Sequence, residues 1–295
     1  MSEPRPLFDR VLLANRRNRA AGQASDHDFL LRRVADDLEE RLAIVKRDFA
    51  VALDLGSHHG VLGRQIGMSP NVGRLISFDP SARLLAQAPA PRVQGALEAL
   101  PFAPDSFDLV ISGLSLQLVD DLPGTLFQIR HVLKPDGLLL AAVLGGQSLK
   151  ELREAWLLAE DDLLGGASPR VAPFADVRDL GGLLQRAGFA LPVADSDTVS
   201  VTYADPLALM RDIKGMGASN MLLDRRRVPV TRRLLIRAAE IYVERFGLAD
   251  GRVPATFEIV TLTAWAPHES QPKPLRPGSA QARLADALGV PERKA

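Results

Sequence analysis

The chain has 295 residues, 46% hydrophobic and 24% charged, which is ordinary for a globular protein with a substantial core. Lys plus Arg and Asp plus Glu both total 36, so the overall charge does not point to nucleic acid or an anionic membrane as partner. The absence of cysteine excludes disulfides, thiolate metal sites and a cysteine nucleophile. No apolar run approaches the roughly 20 residues a membrane helix needs, and MSEPRPLFDR lacks a signal-peptide apolar stretch, so the sequence reads as a cytoplasmic protein without an integral membrane segment.

The first 48 residues read as a helical extension or lid. Leu7, Phe8, Val11 and Leu12 recur at helical spacing before a basic cluster, Arg16, Arg17 and Arg19, which reads as a solvated face. A second helix is predicted over Asp28–Lys46, with Phe29, Leu30, Val34, Leu38 and Leu42 on one side. From Ala50 the pattern alternates. Strands are predicted at Ala50–Leu55, Gly73–Phe78, Arg92–Gln94, Phe107–Ser112 and Leu138–Leu144, the last after a KPDG turn; helices fall at Gly60–Ile66, Ser81–Gln87 and Pro123–Leu133. Further on come helices at Ser148–Leu164, through DLGGLLQRAGF, at Asp205–Met216 and at Thr231–Phe246, with strands at Val193–Val201 and Thr256–Ala264. The tail over 267–295 is rich in Pro and charge and reads as poorly ordered at its end.

This alternation implies an α/β, mostly parallel, doubly wound sheet with helices on both faces, whose ligand crevice lies beyond the carboxyl ends of the strands at the switch in strand order. VALDLGSHHG, over Val51–Gly60, places Asp54, Gly56, Ser57, His58 and Gly60 there. Asp79 ends the next strand, where a carboxylate can accept both hydroxyls of a ribose or satisfy local amides ahead of Pro80 and Ser81. The loop lacks the GK[ST] of a P-loop and is shorter than GxGxxG. Asp54 would oppose a pyrophosphate and suits a ligand with a cationic tail. His58 and His59 are adjacent rather than at i, i+4 spacing, so no metal site is read from them. His58 either contacts the ligand, acts as a base, or occupies a backbone conformation that glycine usually takes.

LDLGSHHG, SFDPSARLL, EALPFAPDSFDLVISGLSLQLVDDLP and LKPDGLLLAAVLGG resemble the class I S-adenosylmethionine-dependent methyltransferases. FDRVLLANRRNRAA, PLALMRDIKGMGASN and GRVPATFEIVTLTAWAPHESQPKPLRPGSA are similar to a subgroup, the methyltransferase-fold assembly factors of respiratory complex I and their bacterial relatives. The resemblance implies a Rossmann-like, seven-stranded sheet with an antiparallel last strand inserted between the fifth and sixth, in a domain over 49–266. Substrate-facing insertions are expected at about 147–175 and 205–230. The resemblance also implies S-adenosylmethionine as cofactor, held by Asp54, Gly56, Ser57, His58, Gly60, Asp79, Pro80, Ala96, Leu97 and Ser112, with His58 and Gln117 as catalytic candidates and no metal ligands.

Three positions depart from the family pattern: His58 replaces a central glycine, Ala96 an acid that contacts the adenine amine, and Leu118 an aromatic. Glu98 is a substitute for the lost acid or a solvent-facing loop residue. Trp156, Trp265, Tyr203 and Tyr242 read as core or rim aromatics, Arg153 as lining the cleft mouth, and Arg225, Arg226 and Arg227 as a solvated approach to a helix. The implied function is methyl transfer to a protein, such as a complex I subunit, or to a small molecule; nucleic acid is not an expected partner. Arginine hydroxylation and a non-catalytic assembly chaperone are the alternatives. Hydroxylation needs an oxidant, and no two-His-one-carboxylate set or flavin loop is legible.

Overall fold

A computed structural model of the chain describes residues 6–272. The expectation for the tail beyond 272 lies outside the described residues. Seven strands, β1 (Phe49–Leu55), β2 (Val72–Asp79), β3 (Arg92–Gln94), β4 (Phe107–Gly113), β5 (Leu133–Leu144), β6 (Ala190–Tyr203) and β7 (Val253–Trp265), form one sheet in the order β3-β2-β1-β4-β5-β7-β6. The ladders from β3 to β5 are parallel, and β7 runs antiparallel between β5 and β6. The order reverses at β1, so β1 and β4 open a crevice beyond their carboxyl ends.

Alternation along the central strands sends side chains to two cores. Ala52, Leu109, Ile111, Leu138 and Leu140 face one, with Leu38 and Leu42 of α2 (Phe29–Ile44), Ala155 of α6 (Lys150–Leu164) and Tyr242 of α9 (Arg232–Phe246). Leu53, Leu55, Val110, Leu139 and Val260 face the other, with Leu126 of α5 (Leu122–Val132) and Leu184 of α7 (Val177–Arg186). The short α3 (Val61–Ile66) and α4 (Ala82–Leu85) follow β1 and β2. α8 (Pro206–Gly215) follows β6.

Three expectations need correcting. KPDG lies inside β5, where Asp136 takes φ +64° and the pairing with β4 shifts register, so a local irregularity absorbs the turn residues. β6 and β7 run longer at both ends than their apolar cores suggest, because their mutual ladder extends from Ala190 to Tyr203. Leu7 and Phe8 are not helical: Phe8 bridges antiparallel to Leu222 and is buried with Leu13 and Met221, while Val11 is exposed. The helix α1 (Arg10–Ala20) starts after Asp9, whose carboxylate caps the Leu12 amide, and a 3-10 turn (Ala21–Asp26) joins it to α2.

Candidate cofactor and acceptor site

The loop after β1 is docked onto the end of β2: the amides of Gly56 and Ser57 donate to Phe78 O at 2.8 and 3.0 Å. Gly56 has φ +75°, and an added Cβ would fall 2.3 Å from Cβ and Oγ of Ser115. Gly60 has φ +85° and lies as tightly against Ala88 and Pro89, 2.6 Å from an added Cβ. Both positions therefore require glycine on conformation and space.

Asp54 is fully buried, and neither carboxylate oxygen has a hydrogen-bond partner. Burial, reinforced by nearby Asp79, pushes its carboxyl up to about 8; the Gly63 amide opposes this without reaching hydrogen-bonding geometry. Ser57 is buried with its hydroxyl unpartnered. Asp79 is fully buried, and its oxygens accept from the His58 amide at 2.9 Å and the Ser81 amide at 2.7 Å. Burial raises its carboxyl, while Arg17 and the two amides oppose the shift. Each oxygen keeps a second lone pair, so amide satisfaction and ribose binding are compatible.

His58 has φ +51°. Arg17 Nη2 lies 3.2 Å from Nδ1, and Nε2 lies 2.9 Å from Ser115 Oγ and 3.1 Å from Gly113 O. The carbonyl of Gly113 can only accept and arginine can only donate, so Nε2 carries the proton and Nδ1 accepts from Arg17. Ser115 Oγ accepts that proton's hydrogen bond and donates to Gly56 O at 3.0 Å. Burial, followed by the Arg17 charge, holds the imidazole well below its ordinary range, so it is neutral. His58 thus occupies a left-handed backbone position and also connects α1 to β4.

The solvated reading of the basic cluster fails at Arg17, which is 3% exposed; Arg16 donates to Asn220 O, and Arg19 is exposed. Arg17 shares a helix face with buried Leu13 and Ala20, a phase that could have revealed it. Neighbouring ties fix α1 over the crevice. Ser81 Oγ donates to Asn18 Oδ1 at 2.7 Å, and Gln87 Nε2 to Ala21 O at 2.8 Å. Glu98 is neither a free loop acid nor aimed at a ligand: it binds Arg10 and accepts from the amides of Asp120 and Asp121.

The other expected residues divide. Leu97 is buried, 3.7 Å from where a Gly56 Cβ would lie, whereas Ala96 is exposed and Pro80 half-buried. Ser112 is buried and donates to Leu55 O at 2.7 Å, tying β4 to β1. Gln117, in the turn after β4, donates to Leu114 O at 2.8 Å and leaves Oε1 buried and unpartnered.

Beside this loop is a mainly apolar cavity of about 300 Å³, lined by His58 and Gln117, by Trp156 of α6, and by Phe174, Met210 and Asn220 from beyond β5. That volume is at the lower end for a small-molecule site. Its charged and titratable lining groups are Arg17, Arg170, His27, His58 and His59, with no Asp or Glu among the described lining. Sequence reasoning missed two arrangements here. His27 Nδ1 meets Asp212 Oδ1 at 2.5 Å while Tyr203 donates to Asp212 Oδ2 at 2.7 Å, and Arg170 binds Glu160 while lying 4.7 Å over the Trp156 ring. His59 pairs with Asp28 at 3.1 Å. Arg153 does not line the cavity and faces Ser148 O. Arg225 is held by Asp9 and by Leu222 O in a turn rather than a helix. Among the described residues, no group of three or more His, Asp or Glu side chains is placed to hold a metal ion.

The orphaned polar atoms of Asp54 and Ser57, beside two glycines that bring the backbone close, fit a nucleoside cofactor with a cationic tail. Residues 53–141 match the family model described as "Methyltransferase domain". Over 287 residues the chain is 40% identical to "Arginine-hydroxylase NDUFAF5, mitochondrial" of Danio rerio, covering 95% of this chain and 89% of that protein. It is 38% identical over 244 residues to "Malonyl-[acyl-carrier protein] O-methyltransferase" of Halorhodospira halophila, covering 80% and 81% respectively. A solved Bacillus halodurans structure assigned as a methyltransferase aligns with TM-score 0.55 at 18% identity, over 79% of this chain and all of that one, which shows the fold. The cytoplasmic expectation is overturned by the relative named as mitochondrial. No helix among the described residues is long and apolar enough to cross a membrane, a fact that does not choose between aqueous compartments.

Proposed function

This chain belongs to the class I S-adenosylmethionine-dependent methyltransferase family, whose cofactor is S-adenosylmethionine, and we propose that it is an enzyme transferring a methyl group to an acceptor in the cavity beside the β1 loop. The observation that carries the reading is Asp54: a buried carboxylate with both oxygens unmet, at the switch point of the sheet. When bound, the cofactor supplies an electrophilic methyl group. The chain's residues have separate tasks. Asp54 receives the cationic tail, Asp79 the ribose hydroxyls, and Gly56, Ser57, His58 and Gly60 line the tail, with Pro80 and Leu97 near the nucleoside. Ser112 acts by fixing β4 against β1, and exposed Ala96 gives the adenine amine no acid. Gln117 Oε1 accepts a hydrogen bond from the acceptor, orienting it, and the apolar walls exclude water. The described part of the N-terminal extension, 6–48, acts as a lid, and 147–175 with 205–230 form the acceptor side.

The acceptor is proposed to be a protein, a subunit of respiratory complex I, in keeping with the resemblance over the N- and C-terminal segments. A second reading, arginine hydroxylation, is favoured by the 40% identity to a relative named for that activity. Calorimetry with S-adenosylmethionine tests the cofactor: absence of heat and thermal shift at millimolar concentration would sink both the transferase reading and its site. Mass analysis of proteins co-purified with the tagged chain separates the reactions, methyl gain supporting transfer and oxygen gain supporting hydroxylation.

A further inference from the structure

We propose that Arg17 binds the α-carboxylate of the cofactor's amino-acid tail, an assignment resting on the cofactor reading above. Arg17 is 3% exposed, lines the cavity, and leaves Nη1 without a hydrogen-bond partner, while Nη2 is held by His58. Its nearest acid, Asp79, is 3.6 Å from Nη1 and already accepts two amides. The contrast is with Arg170, a less buried arginine of the same cavity, whose guanidinium is matched by both Nε and Nη2 contacts to Glu160. Asp79 supplies an opposite charge but no hydrogen bond, so the buried Nη1 still lacks an acceptor, and the planar fork suits a carboxylate.

The second observation is the opposite orphan. Asp54 is a buried carboxylate with neither oxygen satisfied, and Asp79 lies close enough to act electrostatically on both Asp54 and Arg17. An unpartnered carboxyl and an unpartnered guanidinium N–H around one loop complement a zwitterion. An α-amino acid end group satisfies both at once, its ammonium directed to Asp54 and its carboxylate to Arg17. The ribose hydroxyls are neutral and are assigned to Asp79, which pairs with the guanidinium charge at 3.6 Å but gives Nη1 no hydrogen bond. Neutral His58 then orients Arg17 through Nδ1 without competing for the anion, which gives a role to the imidazole standing where the family has glycine.

The test compares S-adenosylhomocysteine with 5′-methylthioadenosine, the same nucleoside thioether without the amino-acid group, by calorimetry on the full chain. Arg17→Gln is expected to weaken S-adenosylhomocysteine binding about tenfold or more and to change methylthioadenosine binding less than about twofold. Equal weakening of both ligands, or of neither, overturns the assignment. Arg17→Lys, which keeps the charge and loses the fork, is expected to show the same selectivity to a smaller degree, and it serves as the deciding variant if Arg17→Gln fails to unfold cooperatively. If the unmodified protein binds neither nucleoside, the cofactor reading fails and the anchor with it; binding of both with an unselective Arg17→Gln effect removes the anchor alone.

Discussion

At the residue scale, the site depends on small side chains as much as on charged ones. Gly56 combines φ +75° with a contact that leaves no room for a methyl group against Ser115. Gly56→Ala is expected to destabilise the fold by about 2–5 kcal/mol, from left-handed strain plus overpacking. Chemical denaturation measures the loss, and Ser115→Gly in the same chain should recover the steric part; an unaltered midpoint in Gly56→Ala would refute the close approach. The acid at Asp54 and the glycines around it were legible because strand, turn and helix signals are local. The tautomer of His58 was not, since it follows from Arg17, 41 positions away, and Ser115, 57 positions away.

At the element scale, α1 acts as a strap across the carboxyl ends of the strands. Its ties are Arg10 to Leu118 O at 2.9 Å and to Glu98 and Asp120, Arg16 to Asn220 O, and Asn18 to Ser81. These contacts are mostly polar and partly exposed, each worth about 1 kcal/mol or less, whereas the central strands are held by fully buried apolar residues. Arg10→Ala is therefore expected to speed hydrogen exchange over residues 10–20 several-fold while global stability changes by less than about 1 kcal/mol. Unchanged exchange in α1 would show that Arg10 does not hold the strap. A helix in this stretch was predictable, but not from the spacing of Leu7, Phe8 and Val11, since Leu7 and Phe8 precede α1 and Val11 is exposed. Its face was not, because three arginines in four positions look solvated until the fold brings Asp79 and His58 against one of them.

At the scale of the whole molecule, buried ionisable groups make stability depend on pH. Asp54 has an ordinary value of 3.8 and is raised to about 8 in the fold, so its contribution is complete below 3.8 and is lost as pH rises through about 8. His58 is depressed below 6.5, and its contribution is lost as pH falls below that value. Between pH 6.5 and 8 the Asp54 effect stands without opposition from His58, and the ligand-free protein is expected to lose roughly 1.4 kcal/mol per pH unit from this one group. Asp54→Asn should flatten the slope, leaving the contribution of Asp79, which burial pushes in the same direction. Thermal unfolding across that range is the measurement, and stability rising with pH in the unmodified protein would contradict the buried, unpartnered state of Asp54.

The sequence by itself determined the order of strands and helices, the two-sided burial of the sheet and the acid–glycine loop at its switch point. Each follows from periodicity and turn chemistry within a few residues. Only the tertiary structure decided which arginine is buried, which nitrogen of His58 carries the proton, how Glu98 is held and that His27 meets Asp212, 185 positions distant. Those outcomes depend on which side chains from separate elements share one desolvated space, where an unmet charge or hydrogen bond is costly. Local pattern carries no record of such partners until packing brings them together.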